Sequence, residues 1–155
     1  MKHEKNLAEF SLKLASIKDR ELIFNWRNET ITRKYSLNKD LISKEEHNNW
    51  YSKVLKLENT RIFIFLNNQN PVGMIRFENK SNKIEINYLI DKDHRKKGYS
   101  VIMIKMGIHQ IRLIWPKITF QATVLRDNKP SQKVLQNIGF SLFDEKDFKF
   151  IYTFN

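Results

Sequence analysis

The stretch Arg95-Lys96-Lys97-Gly98-Tyr99-Ser100 stands between two segments of different period. Upstream, Lys83 to Asp91 reads as a strand; downstream, Tyr99 to Ile114 is a strongly apolar run, with Lys105, His109 and Arg112 among its few polar positions, that reads as a well-buried helix. A helix N-terminus carries N–H groups without intrahelical partners at the positive end of the dipole, so a small-residue turn there can cradle phosphate oxygens. Three adjacent cations add Coulomb attraction and charge-assisted hydrogen bonds, which makes a pyrophosphate the natural guest. Taken alone, Gly98 fits a plain turn among solvated cations equally well. The run lacks the Lys-Ser/Thr ending of a P-loop and the three glycines of a dinucleotide fingerprint.

Working outward, Phe10 to Ala15 alternates as a half-buried strand does. Ser16 with Asp19 reads as a helix start, with Leu22, Ile23 and Trp26 on its inner face, and Ser43 with Glu46 opens a second helix carrying His47, Trp50, Tyr51, Val54 and Leu55. Arg61 to Leu66 and Val72 to Glu78 form a hairpin around the turn residues Asn67 to Pro71, and a polar turn at Asn79 to Asn82 leads into the strand before the basic loop. After the long helix come a strand from Ile118 to Leu125 and a helix capped by Asn128 and ended by Gly139, with Val134, Leu135 and Ile138 on one face. Two aromatic-rich strands, Phe140 to Phe143 and Phe148 to Phe154, flank Asp144 to Asp147. The order predicts an α/β fold: a mixed, mostly antiparallel sheet of six to seven strands flanked by about four helices, in one domain over residues 1–155.

Composition narrows the chemistry. A 155-residue chain with 41% hydrophobic residues and 11 Phe is long enough to bury a sizeable core. With no cysteine there is no disulfide, thiolate nucleophile or Cys-ligated metal, and the four histidines do not cluster with carboxylates, so no metal is implied. The charged start Met1 to Asn6 has no apolar run behind it and no segment is apolar enough to span a bilayer, so a cytoplasmic protein without a membrane partner is expected. The formal charge of +11 attracts polyanions, among them nucleic acid, anionic lipid and phosphorylated cofactors, or is simply a solvated surface.

Arg95-x-x-Gly98-x-Ser100 between a meander strand and an apolar helix resembles the Arg/Gln-x-x-Gly-x-Gly/Ala acetyl-CoA loop of the GNAT acetyltransferase superfamily, with Ser100 in place of the last small residue. Asn128-Lys129-Pro130-Ser131, followed by Leu135 and Gly139-Phe140, resembles the second signature of that family, and the likeness runs through nearly the whole element order. The resemblance implies acetyl-CoA as cofactor. It places Tyr88, Leu89 and Ile90 on a splayed strand along the pantetheine arm, Arg95, Lys96, Lys97, Gly98, Tyr99 and Ser100 at the pyrophosphate, and Asn128 and Ser131 beside the arm. Capping of its own helix accounts for Asn128 equally well.

Asn25-Trp26-Arg27-Asn28, then Arg33, Ser36 and Ile42-Ser43-x-x-Glu46-His47-x-x-Trp50, resembles the bacterial GNAT branch that acetylates amino groups on nucleotide-linked sugars, as in pseudaminic-acid-type pathways. By that resemblance Trp26, Arg27, Asn28, Arg33, His47, Trp50 and Arg76 bind the acceptor: the arginines meet a diphosphate, and a tryptophan stacks on sugar or base. Trp26, Trp50 and His47 also suit inward packing. Without cysteine, transfer is expected to be direct, with a base to deprotonate the amine and N–H donors near Leu89 and Ile90 for the oxyanion. Glu85 is the first choice for the base and His47 the second. The tyrosine that many GNAT enzymes carry seven residues after the helix Asn is Leu135 here, so Tyr88, Tyr99 or solvent takes the place of the acid. Two alternatives stay open: acetylation of a protein N-terminus, as of a ribosomal protein, and a non-catalytic basic module for nucleic acid. The acceptor's identity and the choice between monomer and homodimer lie beyond these patterns.

Overall fold

The computed structural model describes residues 9–155, so the charged start Met1 to Asn6 lies outside the described residues. Seven strands form one sheet in the order β1-β2-β3-β4-β5-β7-β6, with β1 at Phe10–Leu14, β2 at Thr60–Asn67, β3 at Asn70–Asn79, β4 at Lys83–Ile90, β5 at Thr119–Leu125, β6 at Ser141–Lys146 and β7 at Lys149–Phe154. All neighbours are antiparallel except β4 and β5, which a helical crossover over Tyr99–Ile114 makes parallel. The helices are α1 (Arg20–Asn28), α2 (Thr30–Lys34), α3 (Lys44–Val54), α4 (Tyr99–Ile114) and α5 (Lys129–Ile138).

Strand alternation sorts the side chains onto two faces. Phe63, Phe65, Ile75, Phe77, Ile84, Ile86, Phe120 and Tyr152 pack with Met103, Ile104, Ile108 and Ile111 of α4 and Leu135 of α5. On the opposite face Ile62, Ile64, Leu66 and Met74 meet Ile23 and Trp26 of α1 and Tyr51 and Val54 of α3. The helix α4 lies close on the sheet because residue 107 is glycine: a Cβ there would stand 2.7 Å from the Phe77 ring.

Four expectations need correction. Among the described residues a short further helix, α2, begins where no helix is expected; the carboxylate of Glu29 caps it by accepting from the Ile31 and Thr32 N–H groups. The Ser16–Asp19 capping box is present but closes a 3-10 turn over Ile17–Asp19, and α1 follows it. The two hairpin turns are tighter than read, Asn68-Gln69 and Asp147-Phe148, so Pro71 and Asp144 to Lys146 belong to strands; Asn68, Gln69 and Asp147 adopt the positive φ that such turns need. Finally, α4 is buried on one face only, and Leu113 and Ile114 at its end are exposed. No helix among the described residues is long and apolar enough to cross a membrane.

Candidate active site

The parallel ladder between β4 and β5 is short. Lys83 pairs with Thr119, Ile84 with Phe120 and Glu85 with Gln121, and there the pairing stops. From Ile86 to Ile90 the strand β4 pairs with β3 alone, and from Ala122 to Leu125 β5 pairs with β7 alone. The sheet opens into a wedge whose walls are backbone groups without strand partners. Gly73 shows how the β4 wall is oriented: a Cβ there would lie 2.7 Å from the Leu89 carbonyl, and the Asp91 N–H donates to the Val72 carbonyl. The backbone groups of Leu89 therefore face β3, and by alternation those of Tyr88 and Ile90 face the wedge.

At the wide end of the wedge sits the basic loop. Lys96 (φ 60°) and Gly98 (φ 75°) both occupy the left-handed region, and Gly98 N-caps α4 with no side chain to satisfy the first turn. That turn is an open anion cradle. Of the three expected cations, Arg95 points elsewhere: it donates to the Ile90 carbonyl (3.1 Å) and, through Nη2, to Glu29 (2.7 Å) and Thr32 (3.1 Å). Tyr99 packs its ring edge-on to Phe10, and its hydroxyl accepts from Asn67. Ser100 stands in the first turn of α4.

Along the unpaired stretch of β4, Tyr88 spans to α5 through a short hydrogen bond between its hydroxyl and the Ser131 Oγ. Burial raises the Tyr88 phenol to about 12, with the Ser131 hydrogen bond acting in the other direction. Asn128 caps α5 by accepting from the Ser131 N–H. Leu135, in the family's tyrosine slot, is fully buried and offers no proton. An open first turn, unpaired strand edges and a phenol between β4 and α5 together fit a pantetheine arm with its diphosphate.

Glu85 faces the other side of the sheet, at the base of the wedge. Its carboxylate accepts from Gln121 Nε2 (2.9 Å) and Thr123 Oγ1 (3.0 Å), two β5 residues that the sequence reading did not select although their alternation puts them on the face of Glu85. These three side chains line a groove of about 410 Å³, walled by Leu37 from the α2–α3 loop and by Ile151 and Lys149 of β7. Beside it, Arg27 lies 4.4 Å from the Trp50 ring centroid and Arg76 5.6 Å from it. Neither guanidinium has an ion pair or hydrogen bond among the described residues. Burial lowers the pKa of both; Arg76 lowers Arg27 further, while Glu78 and Glu85 act upward on Arg76.

The other expected acceptor residues turn inward. The Trp26 indole donates to Asp91 (2.7 Å) and is nearly buried, which leaves no face free for stacking. Asn28 clamps Ile42 through both its amide atoms, and Arg33 donates to the carbonyls of Asn28 and Lys39, so this pair braces residues 35–42. His47 is 1% exposed between α1 and α3, ringed by Phe24, Trp50 and Tyr51. Its Nε2 donates to the Arg20 carbonyl (2.9 Å), its Nδ1 is buried without a partner, and burial is the chief cause that lowers its pKa. That is the setting of a core histidine.

Residues 10–141 match the model of the acetyltransferase (GNAT) domain family. The chain is 29% identical over 132 residues to the acetyltransferase PseH of Campylobacter jejuni (strain 81-176), covering 83% of this chain and 81% of that one. Among solved structures, the Vibrio cholerae spermidine N-acetyltransferase in complex with CoA and spermine superposes with a TM-score of 0.81 at 17% identity, over 94% of each chain. The C. jejuni N-acetyltransferase PseH superposes at 0.70 and 21% identity, over 94% of this chain and 97% of that one.

Proposed function

The chain belongs to the GNAT acetyltransferase family, and on that premise we propose that it acetylates the amino group of a nucleotide-linked amino sugar by direct transfer. Acetyl-CoA is the donor and supplies a thioester carbonyl open to attack by an amine. The match over residues 10–141 sets aside the non-catalytic nucleic-acid module.

One observation carries the acceptor class: Arg27 and Arg76, both half-buried against the Trp50 ring, with no ion pair or hydrogen bond among the described residues. An unpaired guanidinium at partial burial is costly unless a ligand supplies the counter-charge. A diphosphate matches two planar forks, each able to donate in pairs. The indole holds Arg27 in place by a cation–π contact, so Trp50 serves as a shelf for the arginine. A polyamine acceptor would be repelled by the same two charges.

In the groove, Glu85 takes the amine proton. Both its oxygens already accept hydrogen bonds, so a bridging water is the natural route. The wedge-facing N–H of Ile90 meets the charge that develops on the carbonyl oxygen, while Leu89 contributes side-chain packing. The Tyr88 hydroxyl returns a proton to the departing thiolate, a task for which a phenol held protonated is suited. Lys96, Lys97, Gly98 and Ser100 would hold the diphosphate of the donor, with Asn128 and Ser131 beside its arm.

The test is mass spectrometry of products from acetyl-CoA offered with UDP- and CMP-linked amino sugars, N-terminal peptides of ribosomal proteins, and spermidine. Acetylated nucleotide sugar alone is the expected result. An acetylated peptide or polyamine with no sugar product overturns the acceptor class.

A further inference from the structure

The first residue of the basic loop sends its side chain away from the loop. Glu29, which receives the Arg95 guanidinium at 2.7 Å, also caps α2 by accepting from the N–H groups of Ile31 (3.1 Å) and Thr32 (3.0 Å). Burial acts to raise the Glu29 carboxyl and is the largest influence, but the hydrogen bonds from Arg95, the two backbone N–H groups and the Thr32 hydroxyl outweigh it and hold the carboxyl at about 2. Arg95 thus donates three times within the protein, and turning it to a phosphate would leave an ion pair and the last β4 carbonyl unsatisfied.

The helix so anchored cannot stand alone. It has five residues, three of them β-branched, far below the length at which a helix is stable by itself. Its position is passed on to the acceptor side. Arg33 donates to the Lys39 carbonyl, Asn28 grips Ile42, and between them Leu37 forms a wall of the groove at Glu85.

We infer that Arg95 is a positioning residue for the acceptor, locking α2 and residues 35–42 to the end of β4, while Lys96, Lys97 and the first-turn amides of α4 meet the phosphates of the donor. Donor loop and acceptor wall then share one strut, built from an ion pair between residues 66 positions apart. The kinetic arm of the test rests on the nucleotide-sugar reading; the other two arms do not.

Wild type, Arg95→Gln, Arg95→Lys and Glu29→Gln are compared by amide hydrogen exchange, by calorimetric titration with coenzyme A, and by turnover of a UDP-linked amino sugar. In Arg95→Gln and Glu29→Gln, amides 30–36 are expected to exchange about tenfold faster or more, as loss of a charge-assisted pair implies. The affinity for coenzyme A stays within about twofold, and the KM for the amine rises with kcat held. Arg95→Lys restores part of the protection, since a single ammonium replaces the fork. Weakening of coenzyme A by about tenfold in Arg95→Gln with unchanged exchange in α2 overturns the inference, as does tighter coenzyme A binding in Glu29→Gln, which would mean a freed Arg95 reaching the phosphates. Absence of turnover in the wild type sinks the acceptor class instead, and exchange and titration still decide the role of Arg95.

Discussion

Replacing Tyr88 by Phe removes one oxygen and keeps the ring. Among the described residues the hydroxyl has one partner, the Ser131 Oγ, so the direct structural loss is one neutral hydrogen bond, about 1 kcal/mol. For a chain of this length that lowers the melting temperature by roughly 2–4 °C. As the acid for the departing thiolate, the same oxygen contributes about 10²- to 10⁴-fold to turnover. The two effects differ enough to separate: a small thermal shift with a large fall in kcat, measured as thiol released from acetyl-CoA at saturating amine. Titration adds a second check. Burial places the folded phenol at about 12, above its unfolded value near 10, so the native state favours the protonated form. The corresponding stability, about 2–3 kcal/mol, is present below pH 10 and lost as pH rises from 10 through 12, and Tyr88→Phe should flatten that part of the curve. A kcat for Tyr88→Phe within about threefold of wild type at neutral pH would show that the thiolate leaves without this phenol.

Other perturbations separate the remaining roles. His47→Gln removes the imidazole from the α1–α3 contact and should cost about 2–4 kcal/mol of stability while kcat below the melting temperature stays near wild type; a selective loss of kcat would return His47 to the chemistry. Because burial lowers the folded pKa of His47 below its unfolded value near 6.5, its contribution is present above that pH and lost as the solution is acidified below it, and denaturation midpoints of the variant should fall less steeply with acid. Arg27→Met with Arg76→Met should raise the KM for a nucleotide sugar at least about tenfold, yet leave the fold as stable or more so, since two unpaired charges are removed; an unchanged KM rejects the diphosphate subsite. Gly98→Ala forces a side chain to φ 75°, so about 1 kcal/mol of strain should appear as weaker coenzyme A binding in a calorimetric titration, and full affinity would show that the loop is not the cradle.

Periodicity and turn chemistry make the strand order and the main helices readable, because each of those segments is decided by residues within its own length. The short helix at Thr30–Lys34 is not such a segment. Its cap is a glutamate whose conformation depends on an arginine 66 residues away, and no local pattern carries that information. The same holds for the cations. In the chain Arg27, Arg33, Arg76 and Arg95 look alike, and only the fold shows that Arg33 and Arg95 are occupied by carbonyls and a carboxylate while Arg27 and Arg76 are not. The loop at Gly98 is legible because a left-handed N-cap selects glycine at one position. The partners of Glu85 are half legible: alternation assigns Gln121 and Thr123 a face, but the parallel register that brings that face to Glu85 is tertiary.

A sheet whose β4 and β5 part after three paired residues has a short seam at the proposed site of the reaction. Zipping β4 to β5 along their full length would add ladder bonds and stiffen the molecule, and would also close the cleft proposed for a pantetheine chain lying as a surrogate strand. On that proposal the resting protein is held short of its most cohesive form by its task, and the arriving donor completes the architecture. Heat resistance in this chain should rise with donor concentration, because the missing stitches are supplied from solution.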